Sequence, residues 1–457
     1  MRTVNLKKKE EQYQDALARL YPDLHPNEEE GERILSKTVT WQVTDYCNLA
    51  CSYCYQVNKG HRVMALKAAK KMVDALLTGE KGFERYINPK ISPGIILEFI
   101  GGEPFAQVEL IDQIVDYFRS QAIATGSPWA DRFKVSICSN GTLYFKPEVQ
   151  HFIEKHKAHL SFSVTIDGNR ELHDSCRVFP DGSPSYDLAV AAAKDWMERG
   201  NFMGSKITIA PQNVRFLDQA LRHMIGLGYD IIHANCVYEE GWTLSHAREL
   251  YQQMKSYADY VLEQGLVEKV YCSLFEEEMF HPKAEDDLQT WCGGTGDMLA
   301  MDPDGYLYPC IRYMESSLGT VREPLRIGHI DTGLGLCPAE QECIRCMKAV
   351  DRRTQSTDEC FYCPIAEGCS YCSAYNYQVF GTPDSRATYI CVMHKARSLA
   401  NSYYWNSYYR KKNLPYRFKI YAKEEWGLEI VGREEWEYLK RLESAGRLEE
   451  YTNEIPG

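Results

Sequence analysis

Two apolar rhythms alternate along the first half of the chain. Short aliphatic or β-branched runs cover 38–44, 94–100, 133–138, 160–166, 206–210 and 231–237, each bounded by glycine or polar clusters. They read as buried strands. Between them apolar residues recur at helical spacing over 66–77, 108–124, 147–156, 185–199 and 216–227. Alternating strands and helices predict an α/β fold with a parallel sheet and right-handed crossovers. Six such units make an open (β/α)6 partial barrel, whose ligand-binding loops lie at the carboxyl ends of the strands.

Beyond the sixth strand the texture changes. Residues 238–290 read as helical and acidic, a bridge between domains. From Cys292 the chain turns to short strands, glycine turns and cysteines, with a β-hairpin at 298–308 about Pro303-Asp304-Gly305. An aromatic, basic helix follows at 396–412, where Tyr403, Tyr404, Trp405, Tyr408 and Tyr409 read as packed helix, with a peptide channel as the alternative. The tail alternates like strands and ends in a charged helix near 434–448. The expected division is an N-terminal helical extension (1–36, with a short helix near 13–20), a barrel (37–240), a helical bridge (241–290), a cysteine-rich C-terminal domain (291–395) and a helical tail (396–457).

Of 457 residues, 44 % are hydrophobic and 25 % charged, ordinary for a globular protein, and the net charge of −12 argues against nucleic acid as a partner. No apolar run approaches the roughly 20 residues of a membrane helix, and residues 1–11 lack the apolar core of a signal peptide. These features predict a cytoplasmic protein with no membrane partner. Its 17 cysteines are then metal ligands rather than a disulfide framework. Three fall at 47–54 and eleven between 272 and 391. Cys138, Cys176 and Cys236 stand apart and read as small buried apolar residues.

Cys47, Cys51 and Cys54 form a C-x3-C-x2-C run in the loop after the first strand, with Tyr53 and Tyr55 around the last cysteine. An iron–sulfur cubane normally takes four thiolates, so three close ligands leave one iron open. Buried or zinc-binding cysteines are the alternative for the triplet alone. Gly101-Gly102-Glu103-Pro104 closes the second strand, Ser139-Asn140 the third, and Asp167-Gly168 the fourth, with His173, Asp174 and Arg177 beyond. Together these motifs resemble the radical S-adenosylmethionine (SAM) superfamily. The resemblance implies a [4Fe-4S] cluster on the three cysteines, whose open iron chelates SAM through its amino and carboxylate groups. It implies that Gly101, Gly102 and Glu103 hold the amino group and that Ser139 and Arg177 contact the carboxylate. Asn140 and Asp167 would be further polar contacts, although Asp167 and His173 also suit turn and capping roles.

The later cysteines, Cys292, Cys310, Cys360, Cys363, Cys369, Cys372 and Cys391, resemble the SPASM extension of that superfamily. The resemblance implies two auxiliary [4Fe-4S] clusters, three clusters in all. One takes Cys360, Cys363, Cys369 and Cys391, and the other Cys292, Cys310 and Cys372. The spacing before Cys372 departs from the family pattern, and Cys337, Cys343 and Cys346 are extra. Cys343, Cys346, Cys337 or Cys272 would complete the incomplete set, or its iron stays open. Cys343-x2-Cys346 with Cys360-x2-Cys363 also has zinc-ribbon-like spacing.

The implied chemistry is reductive cleavage of SAM to a 5′-deoxyadenosyl radical, fed by a donor such as flavodoxin or ferredoxin, and hydrogen abstraction from a substrate. Relatives with this extension mostly modify peptides. Sulfatase-maturing members carry an acidic base directly after the cysteine matching Cys310, where this chain has Ile311-Arg312. The expectation is therefore a maturase that forms a crosslink, most simply a thioether, in a ribosomally made precursor peptide. Formylglycine formation and action on a small molecule are the alternatives. No residue is singled out as the catalytic base.

Overall fold

The computed structural model describes residues 37–88, 92, 94–239, 241–296 and 298–452. The expected helix at 13–20 lies outside them. β1 (Lys37–Thr44) is buried along most of its length, Thr40, Gln42 and Thr44 as well as Val39, Trp41 and Val43. Both faces are therefore covered, which explains a continuous rather than alternating apolar pattern. β1 pairs in parallel with β2 (Ile95–Gly101), β2 with β3 (Phe133–Ser139), and β3 with β4 (Leu160–Val164). The helices between them are α1 (Leu66–Thr78), α2 (Val108–Ala124) and α3 (Pro147–His156). After β4 a short helix that the apolar pattern did not announce, α4 (Arg170–Cys176), precedes α5 (Tyr186–Glu198). β5 (Ser205–Ile209), α6 (Leu217–Gly226) and β6 (Ile231–Cys236) complete the units, and a single parallel bridge from Thr165 to Lys206 carries the order across from β4 to β5. The result is the open (β/α)6 partial barrel expected from the sequence.

The bridge and the tail differ from expectation, whereas the hairpin forms where it was expected. Within 238–290 the long helix is confined to α7 (Leu244–Glu263), followed by turns and a two-residue strand, β7 (Tyr271–Cys272), beside β6. The hairpin forms as β8 (Leu299–Met301) and β9 (Tyr306–Tyr308) and is bonded into the barrel sheet, β8 lying parallel to β1. It thereby covers the edge of β1, which would otherwise expose unpaired backbone groups. Gly305 takes φ +91°, and Asp302 Oδ1 accepts from the backbone of Asp304 (3.0 Å) and Tyr306 (2.9 Å). β10 (Gly328–His329) and β11 (Gly333–Leu334) extend the same sheet. The rest of the cysteine-rich region is held by short helices, α8 (Pro338–Lys348) and α9 (Ser373–Phe380) among them.

α10 (Cys391–Lys411) packs along α7, and its aromatic residues Tyr403, Tyr404, Trp405, Tyr408 and Tyr409 are all buried. They are core, not a channel lining. Tyr403 donates to Asp259, Tyr408 to Glu268 and Tyr409 to Glu277, so each hydroxyl keeps a partner. The strands read into the tail do not form. Asn406 clamps that segment instead, donating to Phe418 O (2.9 Å) and accepting from Phe418 N (2.8 Å). Helices α11 (Glu424–Ile430) and α12 (Gly432–Thr452) follow.

Candidate functional site

The loop carrying Cys47, Cys51 and Cys54 leaves β1 and folds over the end of β2. Gly102 N donates to Thr44 O (3.1 Å) and Glu103 N to Tyr46 O (2.8 Å). A Cβ on Gly102 would lie 2.6 Å from the Cys47 Cβ and collide with the Tyr46 carbonyl, and one on Gly101 would lie 2.9 Å from Thr44 O. The two glycines are thus needed where the cysteine loop seats on the strand end, a different close approach from the ligand contact expected of them.

Glu103 is 1 % exposed, and its carboxylate is held by three donors. Ser139 Oγ (2.8 Å) and Phe105 N (3.0 Å) donate to Oε1, and Asn140 N (2.8 Å) donates to Oε2. Burial pushes its pKa up, against the pull of these donors. A buried anion positioned this way suits a cationic ligand group. The Asn140 side chain is committed to the cysteine loop, donating to Asn48 Oδ1 (2.9 Å) and accepting from Thr142.

On the other flank Asp167 is fully buried. Its Oδ2 accepts from Tyr53 and from Arg177 Nε (2.7 Å), and its Oδ1 from Thr208 N (3.1 Å). Arg177 also donates from Nε to the Tyr53 oxygen (2.7 Å), and its Nη1 lies 3.8 Å from Cys51 Sγ. Asp167 therefore orients Arg177, and Arg177 reaches the cysteine triplet itself. The sequence placed these residues at strand ends but not in this Tyr53–Asp167–Arg177 linkage, which needs the end of β4 and the cysteine loop in space. His173 accepts from Asp167 N (3.4 Å), faces Ser185 Oγ (3.1 Å), and is kept neutral by burial, its pKa lowered to about 4. It braces the loop from behind.

Burial pushes the Cys47 thiol up to about 11 and raises Cys51 as well, while Arg177 and Lys59 oppose the shift at Cys51. None of the three is in a disulfide. The donor set fits an iron–sulfur centre: three free thiols, with the basic groups of Arg177 and Lys59 beside Cys51. Loading it releases protons, since the ligand is the thiolate.

The later cysteines fall into two groups. Cys360, Cys363, Cys369 and Cys391 lie within electrostatic reach of one another, with Lys395, Lys423 and Arg386 nearby. Arg386 Nε is buried with no hydrogen-bond partner among the described residues, its guanidinium 4.0 Å from the centre of the Tyr371 ring. Cys292, Cys310 and Cys372 make the second group. Of the last predicted pair, Cys343 is half-buried and packs beside this second group, whereas Cys346 is exposed and faces Glu342 (3.2 Å). Two tetrahedral zinc thiolates stand about 3.8 Å apart on a 2.3 Å Zn–S bond. Among the described residues no three cysteine sulfurs lie within 4.8 Å of one another, in either field.

Arg312 joins the two fields. Its guanidinium lies 5.4 Å from the centre of the Tyr55 ring, beside Cys54, and pairs with Glu239 at 2.8 Å. A cavity of about 170 Å³ opens between the end of β6 and the cysteine-rich region, lined by Asn235, Tyr238, Glu276, Trp291, Ser370 and Arg397. Sequence reasoning missed it, because its residues come from segments far apart in the chain and share no motif.

A partial (β/α)6 barrel with a thiol triplet, a buried carboxylate and a buried arginine at its strand ends defines an iron–sulfur protein built to hold a small polar ligand. A family model described as a 4Fe-4S single cluster domain matches residues 30–175. The serine-type anaerobic sulfatase-maturating enzyme of Bacteroides thetaiotaomicron is 30 % identical over 31 % of this chain and 31 % of its own length. The antilisterial bacteriocin subtilosin biosynthesis protein AlbA of Bacillus subtilis is 22 % identical over 62 % of this chain and 56 % of its own length. Mycofactocin maturase MftC of Mycolicibacterium smegmatis is 25 % identical over 62 % and 66 %. The chain thus spans between about a third and two thirds of the length of these curated relatives. The solved structure of anSMEcpe with bound AdoMet superposes over 83 % of this chain and 100 % of that one, with a TM-score of 0.58 at 16 % identity. Over most of its length this chain therefore has the fold of the AdoMet-bound anSMEcpe structure, and its N-terminal part is similar to a 4Fe-4S single cluster domain.

Proposed function

We propose that this protein is a radical SAM peptide maturase that forms a thioether crosslink in a ribosomally made precursor peptide. Support comes from relatives whose names are those of maturation and bacteriocin biosynthesis proteins, and from the missing acidic residue after Cys310. The observation that carries it is Arg312. This residue, two positions after Cys310, rests against Tyr55 beside the triplet, so the radical-forming site and an electron-accepting site would adjoin.

Bound to Cys47, Cys51 and Cys54, the cluster and SAM would supply a hydrogen-abstracting radical. Glu103, fixed by Ser139 and Asn140, would receive the SAM amino group. Arg177, oriented by Asp167 and Tyr53, would steady the cluster and the SAM carboxylate. The cavity beside β6 would admit the peptide. For the crosslink to balance, one hydrogen would leave carbon as an atom for the SAM-derived radical, the thiol would lose its proton, and one electron would have to be accepted, chemistry that a cluster held by the later cysteines would supply. The peptide ends two hydrogens lighter, with one thiol fewer. Three clusters, a flavodoxin- or ferredoxin-type donor, a cytoplasmic location and the domain divisions at 240, 290 and 395 belong to this proposal. Among the described residues no helix is long and apolar enough to cross a membrane.

The test is anaerobic incubation with SAM, dithionite and cysteine-containing peptides, read by mass spectrometry. A product two hydrogens lighter that resists thiol alkylation supports the proposal. A product that reacts with hydroxylamine as an aldehyde would replace it with formylglycine formation.

A further inference from the structure

The geometry points to Cys343 as the fourth ligand of the Cys292, Cys310 and Cys372 group, closing that site with protein thiolates, and to the Tyr313 hydroxyl as a hydrogen-bond donor to a sulfur held there. This rests on the iron–sulfur reading of the C-terminal field and settles which of its unassigned cysteines takes part.

Four cysteines compete for the place. Cys272 is buried in β7, where Tyr257, Tyr404, Glu276 and Arg397 surround it. Cys337 is exposed at the start of α8. Cys346 is exposed, with its thiol on Glu342. Of the four, only Cys343 packs against the small cluster that contains Cys310, Tyr313, Met347 and Ala374, on which Cys372 also packs; Cys343 touches the main core as well. The helix explains the choice within the C-x2-C pair. Positions four apart share a face, so Cys343 goes inward with buried Met347, while Cys346 goes outward with Glu342.

Two further observations point into this group. Gly294 lies against it: a Cβ there would stand 3.4 Å from Cys292 Sγ and 3.8 Å from Cys310 Sγ. Tyr313 is 0 % exposed, and its hydroxyl has no hydrogen-bond partner among the described residues. The thiols within its electrostatic reach are Cys310, Cys372, Cys292 and Cys343. Leaving a buried hydroxyl unpaired is costly. A cluster sulfur among the four thiolates is an acceptor that would remove the cost. Each thiol gives up its proton on ligation, so the filled site is a four-thiolate centre with no position left for a substrate thiol.

The experiment compares Cys343→Ala, Cys343→Ser, Cys346→Ala, Cys272→Ala and Tyr313→Phe with the unaltered protein, all reconstituted anaerobically and loaded with SAM. Iron and sulfide are counted, and the clusters are followed by Mössbauer spectroscopy and potentiometric EPR. About twelve irons are expected in the unaltered protein, Cys346→Ala and Cys272→Ala, and about eight in Cys343→Ala, at four irons per cubane. Cys343→Ser should keep the irons and change the spectrum of one cluster. Tyr313→Phe should keep all irons and move one midpoint potential negative, because a donor to sulfur favours the reduced cluster. It needs no ligand change, so it tests the site even if the cysteine variants fold poorly. Unchanged iron and spectra in Cys343→Ala, loss that follows Cys346 instead, or an unmoved potential in Tyr313→Phe would overturn the inference while leaving the iron–sulfur reading intact. About four irons in the unaltered protein would overturn both.

Discussion

The two cysteine fields are built in opposite ways. Cys47, Cys51 and Cys54 share one short loop, seated on a strand end by backbone bonds to Thr44 and Tyr46 and clamped by Asn140 and Arg177. The C-terminal cysteines are gathered from segments spread between 292 and 391 and are brought together by short helices. The first field is a preformed local site on a rigid sheet. The second is tertiary structure whose metal would hold the chain together. Stability and ligand loading should therefore be separable in the first and coupled in the second.

The largest expected contrast comes from the cysteines. Replacing Cys47, Cys51 and Cys54 by alanine should lower iron from about twelve to about eight per chain, on four per cubane, with helix content unchanged by circular dichroism. Replacing Cys369 and Cys391 should lower the melting temperature of the whole chain as well. Equal losses of stability in both would break the comparison.

Arg177→Gln comes next. It leaves Asp167, fully buried, without its cation, which costs about 3–5 kcal/mol, measured by denaturant unfolding, and it should weaken SAM binding in parallel. His173 tests the same loop by pH. Its pKa is lowered from 6.5 to about 4, so below about pH 6.5 the unfolded chain takes up a proton that the folded chain refuses. Stability is full above that pH and falls towards pH 4, by about 3 kcal/mol for this one group. His173→Gln should flatten that part of the melting profile. Gly102→Ala should cost about 1–3 kcal/mol through overpacking and displace the cysteine loop. Gly226→Ala, which meets nothing within 4 Å, is the control.

The barrel was legible because each buried strand and amphipathic helix carries its own periodicity, and helices such as Val108–Ala124 and Pro147–His156 fall on the ranges read from the sequence. The tail was not. Alternation in the tail reads as strand, but Asn406 takes up the backbone hydrogen bonds of Phe418 from a helix instead. The site was legible as a set of strand-end residues and opaque as a network. Nothing in the order of Tyr53, Asp167 and Arg177 says that they meet. The C-x2-C spacing of Cys343 and Cys346 suggested a pair, until the helix turned one of them outward. Motifs report ligands; which side chain orients another depends on contacts between distant segments.

The most direct test of the central claim is the yield of 5′-deoxyadenosine from SAM and dithionite under anaerobic conditions, in the unaltered protein and in the Cys47→Ala/Cys51→Ala/Cys54→Ala variant. The account predicts product from the first and none from the second, with about eight irons still bound by the variant, on four per cubane. Product from the variant, or none from an unaltered protein that carries its full iron, would contradict it.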